Sequence, residues 1–274
     1  MVRVWALSIS HACGVVQLAR SAWYRGDRAE RQAKADEPVI DVLSSIVEQN
    51  PRWGFWKCFG SLRHQGYSWN HKRIWRIYCA MGLNLKRRTK KRLPDRPRQP
   101  LEVPAAINYI WSFDFMSDAL YSGRRFRVLN IIDEGTREAL GIVVDTSLPA
   151  ARVVRELEQI KSVRGVPAHI RLDNVPEMLA QVFTDWCEEN GIALVYIQPG
   201  KPNQNAYIER FNRSYRTEVL TPYLLTSLSQ VRDLSAAWLI SYNEERPHDS
   251  LGRIPPAEFR RQITGEVSTF KLCA

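Results

Sequence analysis

Residues 109–133 read YIWSFDFMSDALYSGRRFRVLNIID, and their pattern is the strongest indication of the fold in this sequence. Aromatic and β-branched residues recur on both sides of Ser122-Gly123, a pair typical of hairpin turns. We therefore predict two paired strands, one from Tyr109 to Leu120 and one from Arg125 to Asp133.

The pattern after this hairpin alternates between short apolar runs and helical periodicity. We expect further strands at 139–144, 169–173 and 192–197, and helices at 149–163, 176–190, 203–220 and 228–242. Three successive strands followed by alternating helix and strand are typical of a mixed α/β sheet with helices on its faces.

The residues before the hairpin have helical patterns. Residues 8–25 have the size and polarity of a helix-turn-helix, although Gln17 stands where a turn glycine is expected, and we interpret Gly26–Glu37 as a polar linker. Residues 38–85 predict three helices, the last running from His71 to Met81 with Asn70 as its cap. Its basic residues suggest a recognition helix for the DNA major groove, the alternative being a solvated face of a structural helix. These residues are Lys72, Arg73 and Arg76.

Positive charge is concentrated in the first hundred residues. They carry 20 Lys and Arg against 7 Asp and Glu, whereas residues 101–274 carry 19 against 22, within a net charge of +10. This asymmetry indicates a nucleic-acid-binding region beside a near-neutral domain. A basic run before the proline-rich residues 94–104 should neutralise phosphates without reading sequence. The run consists of Lys86, Arg87, Arg88, Lys90, Lys91 and Arg92.

Composition excludes several other classes. No apolar stretch reaches the ~18 to 20 residues of a membrane span, and the first residues lack a signal-peptide pattern, so we expect a cytoplasmic protein without membrane contact. The five cysteines are widely spaced and include no C-x-x-C, which argues against a disulfide framework. Cys58, His64, His71 and Cys79 have spacings that match no usual zinc site.

Three acids are candidate catalytic residues and metal ligands. Asp114 lies in the first strand, between two phenylalanines that should point to the opposite face. Asp173 ends the fourth strand, and Glu209 lies on the helix after the fifth, with 58 and 35 residues between successive acids. Such carboxylates can hold two Mg²⁺ or Mn²⁺ ions that activate an attacking water or 3′-hydroxyl and stabilise the leaving oxygen.

Two other acids are alternatives to this set. Asp133 could be a turn residue, a third ligand or a partner for Arg137, since strand-end aspartates are more often turn formers. Glu177 could replace Glu209, although its place suits the start of a helix. On the Glu209 helix, several polar residues should share one face. They are Asn205, Asn212, Arg213 and Arg216.

The spacing and its flanking motifs resemble the integrase core of insertion-sequence transposases, the second-reading-frame products related to retroviral integrases. The matching motifs are Trp111-Ser-x-Asp114-Phe, Gly165-Val-Pro, Asp173-Asn174 with Pro176-Glu177, Pro199-Gly-Lys-Pro-x-Gln-Asn205, Ile208-Glu-x-Phe-Asn212 and Tyr242-Asn-x-x-Arg-Pro-His248-x-Ser-Leu251. Upstream, Asn50-Pro-Arg-Trp-Gly and Asn70-His-Lys-Arg-Ile resemble the family's second helix-turn-helix.

The resemblance implies a ribonuclease-H-like core, magnesium dependence, and strand cleavage and transfer on double-stranded DNA. It further implies terminal repeats and target DNA as substrates, a homo-oligomer, an upstream-frame product or frameshift fusion as partner, and the bacterial nucleoid as location. Additional DNA contacts are expected from Lys201, Asn205 and Arg213. The expected domains are 1–37 (partial helix-turn-helix and linker), 38–92 (helical DNA-binding domain with basic tail), 93–106 (linker), 107–262 (catalytic core) and 263–274 (tail).

One departure from the family pattern concerns Val175, which stands where glycine is usual. If that position required a positive φ, valine would cost about 1 kcal/mol or more and tilt Asp173. This departure supports one alternative function, a catalytically impaired DNA-binding copy. A second alternative is a ribonuclease-H-like nuclease acting on RNA–DNA hybrids.

Overall fold

The computed structural model describes residues 6–85, 104–173, 175–197 and 205–265. The helices in these ranges are α1 (Ile9–Val15), α2 (Arg20–Gln49), α3 (Phe55–His64), α4 (His71–Ala80), α5 (Ala150–Arg164), α6 (Pro176–Leu179), α7 (Gln181–Glu189), α8 (Ala206–Tyr215), α9 (Leu228–Glu244) and α10 (Pro256–Thr264). The strands are β1 (Ile110–Ala119), β2 (Arg125–Asp133), β3 (Ala139–Asp145), β4 (His169–Leu172) and β5 (Ala193–Tyr196). A π-helical turn, Arg216–Leu220, continues α8.

The chain separates into two compact units. The N-terminal unit comprises residues 1–59 and 68–86, and the core unit comprises residues 60–67 and 87–274. The boundaries expected from the sequence at 37, 92, 106 and 262 stay predictions. In the part of the chain that is described, no helix is both long and apolar enough to cross a membrane.

Helix α2 corrects the interpretation of Gly26–Glu37 as a linker. The helix continues without interruption from Arg20 to Gln49. Residues 29–37 explain this, because alanine, glutamate, arginine, glutamine and lysine are strong helix formers, and Pro38 is accommodated inside the helix. The preceding turn was predicted correctly, and Gln17 there adopts the φ of +52° for which glycine was expected.

Helix α4 has the orientation that its pattern predicts. The Asn70 side chain caps it by accepting a hydrogen bond from the backbone N–H of Lys72 at 2.9 Å. Ile74, Ile77 and Tyr78 are buried on its inner face. The phenyl ring of Phe55, from α3, contacts the Tyr78 ring at a centroid distance of 5.5 Å.

The core unit contains a five-stranded sheet of order β3-β2-β1-β4-β5. The hairpin pairs β1 with β2 antiparallel, and β3 continues this antiparallel run. Strand β4 pairs parallel with β1, and β5 pairs parallel with β4. The mixed α/β sheet expected from the sequence is therefore confirmed.

Apolar clusters cover both faces of the sheet. Phe113 and Leu129 pack on one face with residues of α5, α6 and α7. Met116 and Val128 pack on the other with Tyr215 at the end of α8 and with residues of the π-helical turn and α9.

The single helix expected over 176–190 is instead two, separated at Ala180, whose backbone is extended with ψ of 139°. Both Met178 and Phe183 are buried in the first apolar cluster. In an unbroken helix they would point about 140° apart, since each residue turns the helix by about 100°. The break therefore lets both side chains reach the same core.

Candidate active site

Asp114 lies in the middle of the sheet, on the face covered by α8. Phe113 and Phe115 belong to the opposite face, as their alternation predicts. The Asp114 carboxylate accepts a hydrogen bond from the Asn212 side chain of α8, with Nδ2 to Oδ2 at 2.6 Å. This bond attaches the central strand to the helix that carries Glu209.

A buried asparagine extends this connection. Asn130 is opposite Asp114 in the β1–β2 register. Its Nδ2 donates to Oδ1 of Asn212 at 2.6 Å, so the three polar side chains form a continuous chain of hydrogen bonds. Asn130 is fully buried, and this bond satisfies one of its amide hydrogens. The sequence reasoning missed Asn130, although the hairpin turn fixes its pairing with Asp114.

The other two acids come from the neighbouring strand and the covering helix. The parallel register pairs Ser112 with Arg171, and Asp173 directly follows β4, close enough for its charge to act on Asp114. Glu209 lies in the first turn of α8, three residues before Asn212. Asp173 and Glu209 are both exposed, so a substrate can approach them from solvent.

The electrostatics of Asp114 indicate that the three acids are neighbours. Burial is the largest cause that raises the pKa of Asp114, and the charges of Asp173 and Glu209 raise it further. Hydrogen bonds from the backbone N–H of Phe115 and from Asn212 oppose the shift, and the resulting pKa is about 6. Mutual repulsion among carboxylates is typical of acid clusters at catalytic sites.

The donor set suits a hard divalent cation, because carboxylate oxygens are the ligands that Mg²⁺ prefers. Across residues 6–85, 104–173, 175–197 and 205–265, no three His, Cys, Asp or Glu side chains are gathered closely enough to form a ready metal-binding group. The charges of Asp173 and Glu209 nevertheless act on Asp114. A bound cation would offset the repulsion among the three carboxylates.

The alternative acids are engaged elsewhere. Glu177 pairs with Arg127, whose guanidinium lies 4.3 Å from the ring centroid of Phe115. This pair is on the sheet face opposite Asp114, and the Arg127 hydrogen bond lowers the pKa of Glu177. Asp133 is buried and accepts hydrogen bonds from the backbone N–H groups of Asn108, Gly135 and Thr136, so it is a turn residue.

The strain anticipated at Val175 is absent. Its φ is −94° and its ψ is 147°, an extended conformation open to any residue. The side chain packs against the apolar cluster beneath α6. The valine that replaces the usual glycine therefore gives no reason to expect a tilted Asp173.

The residues expected to contact DNA have diverse environments. Lys72 and Arg213 are exposed, as a phosphate contact requires. Arg73 and Arg76 each form an ion pair with Asp36, and their contact with DNA stays a prediction. Asn205 is 7% exposed, and its contact with DNA stays a prediction. Lys201 and the basic run Lys86–Arg92 lie outside the described residues.

A second polar cluster was missed from the sequence. Arg246 is 6% exposed and binds both carboxylate oxygens of Glu218, with Nη2 to Oε1 at 2.9 Å. Trp238 also donates to Glu218, at 2.9 Å. Because Glu218 lies in the π-helical turn that continues α8, this cluster fixes the far end of the helix that carries Glu209. The Arg-Pro-His motif was visible in the sequence, but its partner was not.

A mixed sheet of this order, with acids on adjacent strands and on the covering helix, defines the ribonuclease-H-like polynucleotidyl transferases. Residues 104–202 and 190–256 each match a model described as integrase core domain, and residues 34–91 match an HTH-like domain.

Similarity to known relatives over most of the chain establishes its family. The chain is 40% identical over 257 residues to the uncharacterized 39.2 kDa protein of insertion element IS476 from Xanthomonas euvesicatoria, covering 92% of this chain and 72% of that protein. It is 37% identical over 253 residues to the 31.7 kDa protein of insertion element IS407 from Burkholderia multivorans, covering 92% and 90%. The chain belongs to the integrase-core transposases of bacterial insertion elements and is a DNA transposase.

One solved structure agrees on the fold. A chain of the simian T-cell lymphotropic virus intasome superposes with a TM-score of 0.51 over 73% of this chain and 69% of that chain, at 17% identity. At this identity the likeness concerns the fold alone, and it agrees with the ribonuclease-H-like core expected from the sequence.

Proposed function

We propose that Asp114, Asp173 and Glu209 are the catalytic acids with which this transposase cleaves DNA at the element ends and joins the freed ends to target DNA. The observation that carries this assignment is that Asp173, at the end of β4, and Glu209, on α8, act electrostatically on Asp114 of β1, whose pKa is raised first by burial and then by these two charges. The pairing of Glu177 with Arg127 on the opposite face supports Glu209 as the third acid.

These three carboxylates would hold two divalent cations, Mg²⁺ or Mn²⁺. When bound, such ions lower the pKa of an attacking oxygen and neutralise charge on the leaving oxygen in phosphoryl transfer. The chain's own contribution is orientation. Asn212 holds the Asp114 carboxylate by a 2.6 Å hydrogen bond, and Asn130 holds Asn212. Arg213 is exposed one turn after Glu209, where it would attract a phosphodiester.

DNA affinity resides mainly in the first hundred residues. Their 20 basic against 7 acidic residues support this, and binding should weaken steeply with salt because phosphate contacts release counterions. A shortened chain that begins at Leu101 should therefore bind duplex DNA much more weakly than the full chain. Equal binding of the two chains throughout a salt titration would contradict the assignment.

The substrates would be the terminal repeats of the element and its target DNA. Because both ends of the element must be held during cleavage and joining to target DNA, we infer that the protein acts as a homo-oligomer on the bacterial nucleoid. An upstream-frame product, or a frameshift fusion to it, would supply additional DNA binding.

The test is cleavage and joining by the full chain on a duplex that carries an element end, with and without magnesium. Metal-dependent nicking and joining at the repeat are expected. Binding without nicking would favour the catalytically impaired copy. Cleavage of an RNA–DNA hybrid without sequence preference would favour the nuclease.

A further inference from the structure

A buried acid of the N-terminal unit holds two arginines of α4. Asp36, on α2, is 5% exposed. Its Oδ1 accepts from Nε of Arg73 at 2.9 Å, and its Oδ2 accepts from Nη2 of Arg76 at 2.6 Å. Arg73 also donates to the backbone oxygen of Ala35. Both carboxylate oxygens of Asp36 are therefore committed to the basic face of α4.

The ion pair with Asp36 anchors Arg76 but leaves other N–H groups of its guanidinium available. In the described chain, Nε and Nη1 of Arg76 make no hydrogen bond, and the side chain is 48% exposed. Arg73 is more fully engaged, with its Nε and Nη2 bonded. Of the two, Arg76 therefore keeps the larger set of donors for an outside partner, with its guanidinium anchored to Asp36 through Nη2.

The residues around the Asp36 ion pairs form a shallow, largely basic concavity of about 490 Å³. Its lining residues are Gln32, Ala35, Asp36, Lys72, Arg73 and Arg76. With three cationic side chains and one anionic side chain, the surface of this concavity is net positive. It therefore suits a nucleic acid better than an apolar ligand or a peptide with few acidic residues.

The charged state of Asp36 is stable at neutral pH. Burial opposes ionisation, but hydrogen bonds from Arg76 and Arg73 outweigh it and hold the pKa of Asp36 below its usual range. The Asp36 carboxylate therefore remains ionised at neutral pH and stays paired with both arginines.

We propose that Arg76, oriented by Asp36, reads a guanine in the major groove of duplex DNA, with Asp36 as the positioning residue. A guanidinium presents paired donors to O6 and N7 of guanine, and this pairing needs a fixed planar orientation. The proposal rests on the proposed DNA binding by the first hundred residues and adds to it the residue that confers base preference.

The experiment is selection from short duplexes with a random centre, using the full chain, followed by affinity measurements on the selected sequence. The wild type should enrich a motif with a guanine whose replacement weakens binding roughly tenfold. Asp36→Asn should lose most of that discrimination. It should also bind unrelated duplexes more tightly, because a negative charge has been removed.

Asp41→Asn is the matched control, since Asp41 is exposed on the same helix and its replacement removes the same charge. It should increase binding to unrelated duplexes while keeping the roughly tenfold discrimination. Arg76→Lys keeps the positive charge but lacks the paired, coplanar N–H donors of a guanidinium. It should lose the discrimination without gaining affinity for other duplexes.

Equal discrimination by Asp36→Asn and Asp41→Asn would overturn the proposal, as would unchanged discrimination by Arg76→Lys. If Asp36→Asn does not fold, Arg76→Lys decides alone. Tight wild-type binding without any preferred sequence overturns the inference but leaves DNA binding by the N-terminal unit standing. No duplex binding overturns both.

Discussion

Replacing Asp114 by asparagine should stabilise the metal-free protein at neutral pH, even though it removes a proposed catalytic acid. The pKa of Asp114 is about 6 because burial and the charges of Asp173 and Glu209 disfavour its ionised form. At pH 7 the folded chain therefore carries a carboxylate in a site that favours the neutral acid. Asparagine has nearly the same shape and keeps an oxygen that can accept from Asn212.

The magnitude follows from the difference between a pKa of 3.8 in the unfolded chain and about 6 in the folded one. Between these values the folded protein binds a proton that the unfolded chain has released, so stability falls as pH rises. At about 1.4 kcal/mol per pKa unit, the loss reaches about 3 kcal/mol above pH 6. Weaker hydrogen bonding by the amide costs about 1 kcal/mol, which leaves a gain of roughly 2 kcal/mol for the variant.

The assay is urea unfolding of wild type and Asp114→Asn in a metal chelator, from about pH 4 to about pH 8. The variant should gain stability above pH 6 and none near pH 4. Asp118→Asn is the control, because Asp118 is on the same strand and bonds Arg216 at 3.1 Å, so its loss should not stabilise. A variant no more stable than wild type at pH 7, or equally stabilised at pH 4, would show that ionised Asp114 does not destabilise the metal-free protein.

Two further predictions concern the acids outside the proposed catalytic set. Glu177→Gln should leave strand joining near the wild-type level, because Glu177 binds Arg127 on the opposite sheet face. If a strand-joining assay shows a loss comparable to that of Glu209→Gln, Glu177 belongs to the active site. Arg246→Met should destabilise the protein by roughly 3–5 kcal/mol, because it leaves the Glu218 charge buried without its main cation. Adding Glu218→Gln to Arg246→Met should restore part of the lost stability, as measured by denaturant unfolding. A double variant no more stable than Arg246→Met alone would contradict the pairing.

Local patterns predicted most of the fold. The hairpin strands were predicted within one residue of β1 and β2, because their alternation and the Ser122-Gly123 turn are local signals. Helix α2 ends at Gln49, directly before Asn50-Pro51, where the proline cannot continue a helix. The break at Ala180 was not predictable, since it depends on where Met178 and Phe183 meet the core. The continuity of α2 was hidden by polar residues that resemble a linker but favour a helix.

The candidate site was predictable in its acids but not in its supporting contacts. Spacing and family motifs pointed to Asp114, Asp173 and Glu209. The bonds of Asn212 to Asp114 and of Arg246 to Glu218 join residues 98 and 28 positions apart, and no local pattern reports such contacts. The pairing of Asp36 with Arg73 and Arg76 likewise joins residues 37 and 40 positions apart, and no local pattern predicts it.

The most direct test of the proposed active site is Glu209→Gln, measured by strand joining with magnesium and by DNA gel shift on the same protein. Glutamine keeps the size of glutamate but removes the negative charge that a hard cation prefers. Cleavage and joining should be abolished while DNA affinity stays near that of the wild type, because affinity is proposed to reside mainly in the first hundred residues. Strand joining that is unchanged in Glu209→Gln would remove Glu209 from the proposed active site.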